Sequence, residues 1–547
     1  MKATQLSALS PTEKRLWNAF GTGGLVDLRS TPDDGPQDAA SWGPEREVRA
    51  EVIVALLTGA GQTRGGGIPG VRLAGARIVG GLMLANAVVE HPVDFERCDF
   101  DTGVAVPEAT TRSIRMRGCY LPYLEAARLH LRGELLFQGC RLDWMSLYAA
   151  RVDEVEISGT TLTRPGDIAF NGDLLTVAAA MYAHEMQVEG QFRLPGARVG
   201  GYLELDGSSI SHDGTQAAVF APGLRVETGL FAHRGTYLAT KPPFTVEGGV
   251  NLDAAEIRGG LWMPDARVAG GIRLSAARII GPVDLSAAML ESLSTEALLA
   301  DHIHVDGAVL CHDGFHAQGT LSFLGAQITG RFSLGATSEG AAPSILNGTV
   351  DLRQARIGTL CDDQASWPPR LRLDGLVYDE LTPQLDARRR LSWLARGEFQ
   401  SQPFEQLATR FRAVGRDADA RRVLLARQRH RRSAQGPAAT LWGLAQDATV
   451  GYGYRPWLAG FWLLGLLAAG TSYFAGHRPQ PTSRAGSPHF NALAYTLDLL
   501  VPVVSLGQSN AWDPVGTGQV VAYALILSGW TLATALIAGL TRGLARS

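Results

Sequence analysis

The sequence predicts a mainly β protein: a four-sided β-solenoid of eleven-residue units, two per coil, followed by a helical pair and a two-span α-helical membrane hairpin. Three observations carry that expectation. From Gly249 to Leu290 one pattern recurs in steps of eleven, with Val250, Leu261, Ile272 and Val283 in its first apolar position. After Thr382 the apolar spacing changes from two to three and four. Finally, Trp457 to Ala475 and Gly518 to Leu540 contain no charged residue, and about twenty apolar residues are needed to span a bilayer.

The repeating unit reads apolar-x-apolar-x-x-Ala-x-apolar. Leu252, Met263, Leu274 and Leu285 follow the first position by two, Ala255, Ala266, Ala277 and Ala288 come next, and Ile257, Val268, Ile279 and Leu290 close it. Gly249, Gly260, Gly271 and Pro282 stand ahead of each unit as breakers. Spacing by two is strand spacing, with alternate side chains inward, and it does not suit helical repeats. A short fixed period marks a solenoid whose units bury their apolar sides only against neighbours. On these residues the chain resembles the pentapeptide-repeat proteins, whose four-sided helix alternates small and large inward residues every five. The resemblance implies a right-handed coil, from which this sequence departs by using eleven residues rather than ten per pair of sides.

In chain order, residues 1–67 are expected to form an N-terminal cap. Met1 to Phe20 has no continuous apolar run of the secretory type. Glu45 to Leu57 reads as an amphipathic helix with Val48, Val52, Ala55 and Leu56 on one side, placed to cover the exposed edge of the first coil. The solenoid is assigned to residues 68–380, with units beginning at Val71, Leu82, Val93, Val104, Ile114, Leu135, Met145 and Val155. Arg164 to Gln187 reads as a loop thrown out of a corner. Units resume at Phe192 and Leu203, lapse around Ser211 to Pro222, and end near Leu371. Residues 381–440 are assigned to a basic helical pair, with Phe404, Leu407, Ala408 and Phe411 on one apolar face and Ala420, Val423 and Leu424 on the other. Residues 441–547 are assigned to the hairpin, with spans at 457–475 and 518–540 and an outer interfacial or re-entrant segment at 490–506.

Arginine flanks both spans, so the positive-inside rule puts the two termini and the solenoid in the cytoplasm of a bacterium, at its inner membrane. Arg427, Arg429, Arg431 and Arg432 are the expected contacts to anionic headgroups. Net charge is −3 over 547 residues, which gives no signal for nucleic acid. The arginines that follow the repeat alanine, such as Arg77, Arg198, Arg267 and Arg278, form an outward row suited to solvent or to an acidic partner.

Three constellations carry possible chemistry. Cys98, Cys119 and Cys140 are twenty-one residues apart in inward positions; a soft-metal ladder competes with simple replacement of alanine by a small buried residue. His302, His304, His312 and His316 have the residue types of a zinc site, against a plain polar outer surface. Asp498 and Gln508 lie in the segment between the spans, where an ionisable residue is suspected of lining a pore or an interface. Thr449 to Gly453 spells a potassium-filter motif but precedes the first span, and reads as a turn.

No Walker loop, H-E-x-x-H, G-x-S-x-G or dinucleotide fingerprint occurs, so no catalytic residue is assigned and no cofactor is predicted. The leading expectation is a membrane-anchored scaffold that binds an unidentified protein partner, with homo-oligomers formed through the hairpin. A pore with the solenoid as sensor is the second. The layout is also similar to that of bacterial chains labelled "membrane-associated oxidoreductase", a resemblance that implies the third.

Overall fold

The computed structural model describes residues 9–60, 67–236, 240–335, 342–433, 457–482, 489–501 and 505–544. Two compact units divide the chain: Met1–Leu385 with Ser392–Glu398, and Asp386–Leu391 with Phe399–Ser547.

The first unit is a parallel β-solenoid of about 14 turns between residues 71 and 382. One coil shows how it is made. Short strands at Thr245–Glu247, Val250–Asn251, Glu256–Arg258 and Leu261–Trp262 form four sides. Each pairs in parallel with its counterpart one coil on, Val246 with Val268, Val250 with Ile272, Ile257 with Ile279 and Leu261 with Val283. The backbone along each side therefore pairs with the coils above and below. The core is a column of inward residues: Val250, Leu252, Ala255 and Ile257 are all buried, as the alternation predicts.

Two corner types explain the unit length. At one, the Ala255 N–H donates to the Leu252 carbonyl at 3.1 Å and Ala254 has φ +56, the left-handed third residue of a type II turn. The other is the glycine join, where Gly259 and Gly260 have φ +79 and +104. A Cβ on Gly259 would lie 1.5 Å from the Thr228 carbonyl oxygen, so only glycine fits. Three residues separate inward Ile257 from inward Leu261 here, whereas two separate Leu142 from Met145. The eleventh residue of the unit is thus an insertion at this join, and Leu135 pairs with Val155 across a shorter coil that lacks it.

The stretch from Arg164 to Gln187 is not a loop. The strand Thr161–Asn171 runs through it with two shifts of register, between Thr163 and Ile168 and between Ile168 and Phe170, and Thr176–Val177 and Met181–Tyr182 continue two sides of the coil. Polar outward residues and the bulge at Arg164 to Ile168 mask the period there, while Phe170, Leu175, Val177, Met181 and Ala183 keep the core filled.

The N-terminal region closes the first coil more fully than one helix would. Glu47–Arg49 is a strand paired with Arg77–Val79, and the helix starts only at Ala50, ending at Ala55. Parallel pairing of Val48 with Ile78 overrides the helical periodicity of the Glu45 to Leu57 stretch. A further helix, Pro11–Phe20, opens with a capping box between Ser10 and Glu13 and buries Leu16 and Phe20. At the far end Leu371 bridges to Gly397, and Arg396 donates to the carbonyls of Trp367 and Pro368 at 3.0 and 2.7 Å.

In the second unit, Ser401–Ala413 and Asp417–Ser433 form a helical pair that buries Phe404, Leu407, Ala408, Phe411, Ala420, Val423 and Leu424. Helices Trp457–Gly476, Ala492–Leu500 and Thr517–Leu544 pack around Phe474, Tyr495, Leu499, Leu500, Ala522 and Leu525. Gly529 allows the closest approach, since a Cβ there would meet the Leu500 carbonyl oxygen at 2.1 Å. The expected spans coincide with two of these helices, but among the described residues no helix is long and apolar enough to cross a membrane. Thr471 and Ser472 in the first, and Gln519, Ser528, Thr531 and Thr534 in the second, dilute the apolar run that a charge count alone suggests.

Candidate functional site

Stacking brings residues that are far apart in sequence onto one corner of the solenoid. Along one side Tyr182 faces Glu204, Glu204 faces Phe231 and Phe231 faces Trp262. Two residues further on, the chain turns, and the Glu185 N–H to Asp206 and Gly207 N–H to His233 carbonyl bonds place His184, Asp206 and His233 in register. Ala183, Leu205 and Ala232 point inward between these pairs and are buried.

The resulting cluster is compact. His184 Nε2 lies 2.7 Å from Glu204 Oε2, with the His184 side chain only 7% exposed. Its backbone N–H donates to Ser158 Oγ at 3.0 Å. Asp206 Oδ1 accepts the His233 backbone N–H at 2.7 Å and stands 3.3 Å from His233 Nδ1. The hydrogen bond from Asp206 raises the His233 pKa against the opposing effect of burial, with Asp284 and Glu204 adding to the rise. Aromatic rings wall the cluster: Tyr182 is 5.7 Å from His184, Phe231 is 5.3 Å from His233, and Tyr202 and Trp262 pack on Phe231 at 5.7 and 6.4 Å. One ligand atom each from His184, Glu204 and Asp206 lies within 4.8 Å of the others, a grouping of metal-site dimensions.

The histidines singled out from sequence are not brought together. His302 is an exposed corner residue with φ +56. His304 lies on the side it shares with Arg278 and Gln327, His312 on the side of Gly335, and His316 on the side of Met289 and Ile345. Among the described residues, the metal-sized group is the His184 cluster alone. Its members escape a linear reading because they are one coil apart, not neighbours. Aligning coils exposes the signal, since Tyr182-x-His184, Glu204-x-Asp206 and Phe231-x-His233 fall beneath one another.

Cys98, Cys119 and Cys140 stack inside the coil. The Cys98 N–H donates to Cys119 Sγ at 3.4 Å, and the three thiols reach the carbonyls of Leu73, Phe95 and Met116. Burial pushes the Cys98 and Cys119 thiols far above their ordinary range, which disfavours the thiolate form.

Arg427 pairs with Glu405, and Arg429 and Arg431 are exposed; the Arg432 side chain and the Thr449 to Gly453 motif lie outside the described residues. Asp498 accepts the N–H groups of Leu506 and Ser509, both at 2.8 Å. Gln508 donates to the His489 carbonyl at 3.1 Å and accepts the Asn491 N–H at 3.4 Å. Asp498 thus holds the segment after the short Ala492–Leu500 helix, and Gln508 ties that segment to the residues just before the helix.

No family model matches the chain, and neither a curated protein nor a solved structure is significantly similar to it. Fold and site together define the class as a parallel β-solenoid with a C-terminal helical unit and a histidine–carboxylate corner of metal-site dimensions.

Proposed function

We propose that the chain is a membrane-attached platform whose solenoid presents a rigid lateral face to a protein partner. The observation that carries the reading is the surface of the helical unit. Leu464, Val520, Leu527 and Trp530 are 65%, 70%, 69% and 58% exposed, on helices whose stretches 457–475 and 518–540 contain no charged residue. Exposed apolar surface on this scale marks a membrane or protein contact. The absence of charge there, with Arg429 and Arg431 exposed on the helical pair, favours a lipid surface with anionic headgroups, and bacterial inner membrane is the setting we infer. On the solenoid, the aromatic column of Tyr202, Phe231 and Trp262 has the composition of a protein-binding hot spot.

The glycine insertion at the join supports descent of the coil from a ten-residue, pentapeptide-like pattern, with the right-handed path such a pattern implies. The pore reading gains nothing from Asp498 and Gln508, whose polar atoms bond to backbone on either side of the Ala492–Leu500 helix. Vesicle flotation tests the proposal. The purified full chain should float with vesicles of phosphatidylethanolamine and phosphatidylglycerol in high salt, and Leu464→Arg with Leu527→Arg should sink while retaining its β-sheet circular dichroism. Wild-type protein that stays at the bottom of the gradient would contradict the membrane reading.

A further inference from the structure

At several places along the solenoid, an outward carboxylate is paired with an arginine about one coil on. Asp173 meets Arg193 at 2.7 Å, Asp253 meets Arg273 at 2.8 Å, and Glu108 meets Arg128. The corner at Glu204 and Asp206 is paired differently. Among the described residues, the ion-pair partners of these two carboxylates are His184 and His233. Arginine stays protonated and cannot ligate a metal, whereas a neutral imidazole is a common metal ligand.

The geometry supports the same substitution of purpose. A ring nitrogen of His184, one oxygen of Glu204 and one of Asp206 lie mutually within 4.8 Å. On a tetrahedral ion with bonds of about 2.0 Å, ligand atoms sit roughly 3.3 Å apart, so the 2.7 Å contact between His184 and Glu204 needs only a small opening. Both carboxylates are partly exposed, at 25% and 16%, so solvent reaches the remaining coordination positions. Imidazole with carboxylates suits first-row divalent ions, while the absence of a thiol from the cluster disfavours soft monovalent copper and the imidazole disfavours magnesium or calcium. His233, bonded to Asp206 from the next coil, orients that ligand, as outer-shell partners do.

We propose that His184, Glu204 and Asp206 form a divalent transition-metal site of the zinc type, with His233 as a positioning residue and solvent completing the coordination. The ion would join adjacent coils of the solenoid. It replaces the hydrogen bond between His184 and Glu204 with two bonds to metal, and the proton on the ligating His184 nitrogen moves to the other ring nitrogen or, from a protonated ring, to solvent.

The test uses the full chain, purified in mild detergent without a histidine tag and stripped with a chelator. Zn2+ is titrated by calorimetry, Co2+ by its visible absorption, and thermal unfolding is followed with and without Zn2+. The expected result is saturable uptake of one equivalent with a rise in melting temperature. His184→Gln and Glu204→Gln should each weaken binding by more than about 100-fold, since an outer-shell change alone costs about 10–100-fold; His233→Ala should fall within that lower range. His304→Gln should bind as the wild type does. A folded wild-type chain that takes up no ion, uptake unchanged in both His184→Gln and Glu204→Gln, or uptake lost in His304→Gln would overturn the assignment.

Discussion

Gly259 and Glu13 show how much single residues decide here. Gly259 combines a left-handed φ with a backbone approach that leaves no room for a Cβ, so Gly259→Ala is expected to destabilise the solenoid by at least about 1–3 kcal/mol, read from the midpoint of a denaturant melt. Glu13 has two tasks. It caps its own helix with Ser10, and it binds Arg49 through Nε at 2.8 Å and Nη2 at 2.9 Å. Burial alone would raise its pKa, but the Arg49 and backbone bonds outweigh it and hold the carboxyl below the ordinary 4.5. A group with a depressed folded pKa contributes its stability above the unfolded value and loses it as pH falls through the folded one. Hydrogen exchange at Pro11–Phe20 should therefore accelerate below about pH 4.5 in wild type, and Glu13→Gln should flatten that dependence. The glycine join is legible because the breaker recurs every eleven residues. Corners of the other type are not, because residues as different as Asn86, Glu108, Ala254 and His302 occupy the left-handed position. The Ser10-x-x-Glu13 box is a visible helix start, yet Lys14 and Arg15 inside the helix hide it from a search for apolar runs.

Among elements, those whose burial alternates are the ones a sequence announces. Val250 to Leu290 and the helical pair follow their periods, and their inward residues are buried where the spacing places them. Elements held by pairing are harder to see. Glu47–Arg49 is a strand because Arg77–Val79 lies beside it, and Thr161–Asn171 bulges without leaving the sheet. Core packing predicts the cost of damage: Phe137 is fully buried, and Phe137→Ala should lower stability by about 3–5 kcal/mol in the same denaturant assay. On the helical pair, Arg429→Gln and Arg431→Gln should each weaken binding to anionic vesicles by about 1 kcal/mol, roughly fivefold, with little effect on neutral vesicles. An equal loss on both vesicle types would mean that the arginines serve packing instead of headgroup contact.

For the molecule as a whole, the solenoid converts sequence distance into spatial adjacency by a coil length that varies. Val250 to Ile272 spans one regular coil, whereas Leu230 to Leu261 spans a longer one. The fold survives that variation because each coil needs only its neighbours. The candidate site shows both cases: His184 and Asp206 are one regular coil apart, whereas Asp206 and His233 fall in register only once the excursion around 212–217 has been removed from the count. The membrane reading belongs to this scale too, because it concerns which part of the chain meets lipid. Hydrogen exchange of the full chain with and without anionic vesicles tests it most directly. The account predicts new protection confined to the helices Trp457–Gly476 and Thr517–Leu544 and the residues beside them, with the solenoid unchanged. Protection on the solenoid faces instead, or none anywhere, would contradict it.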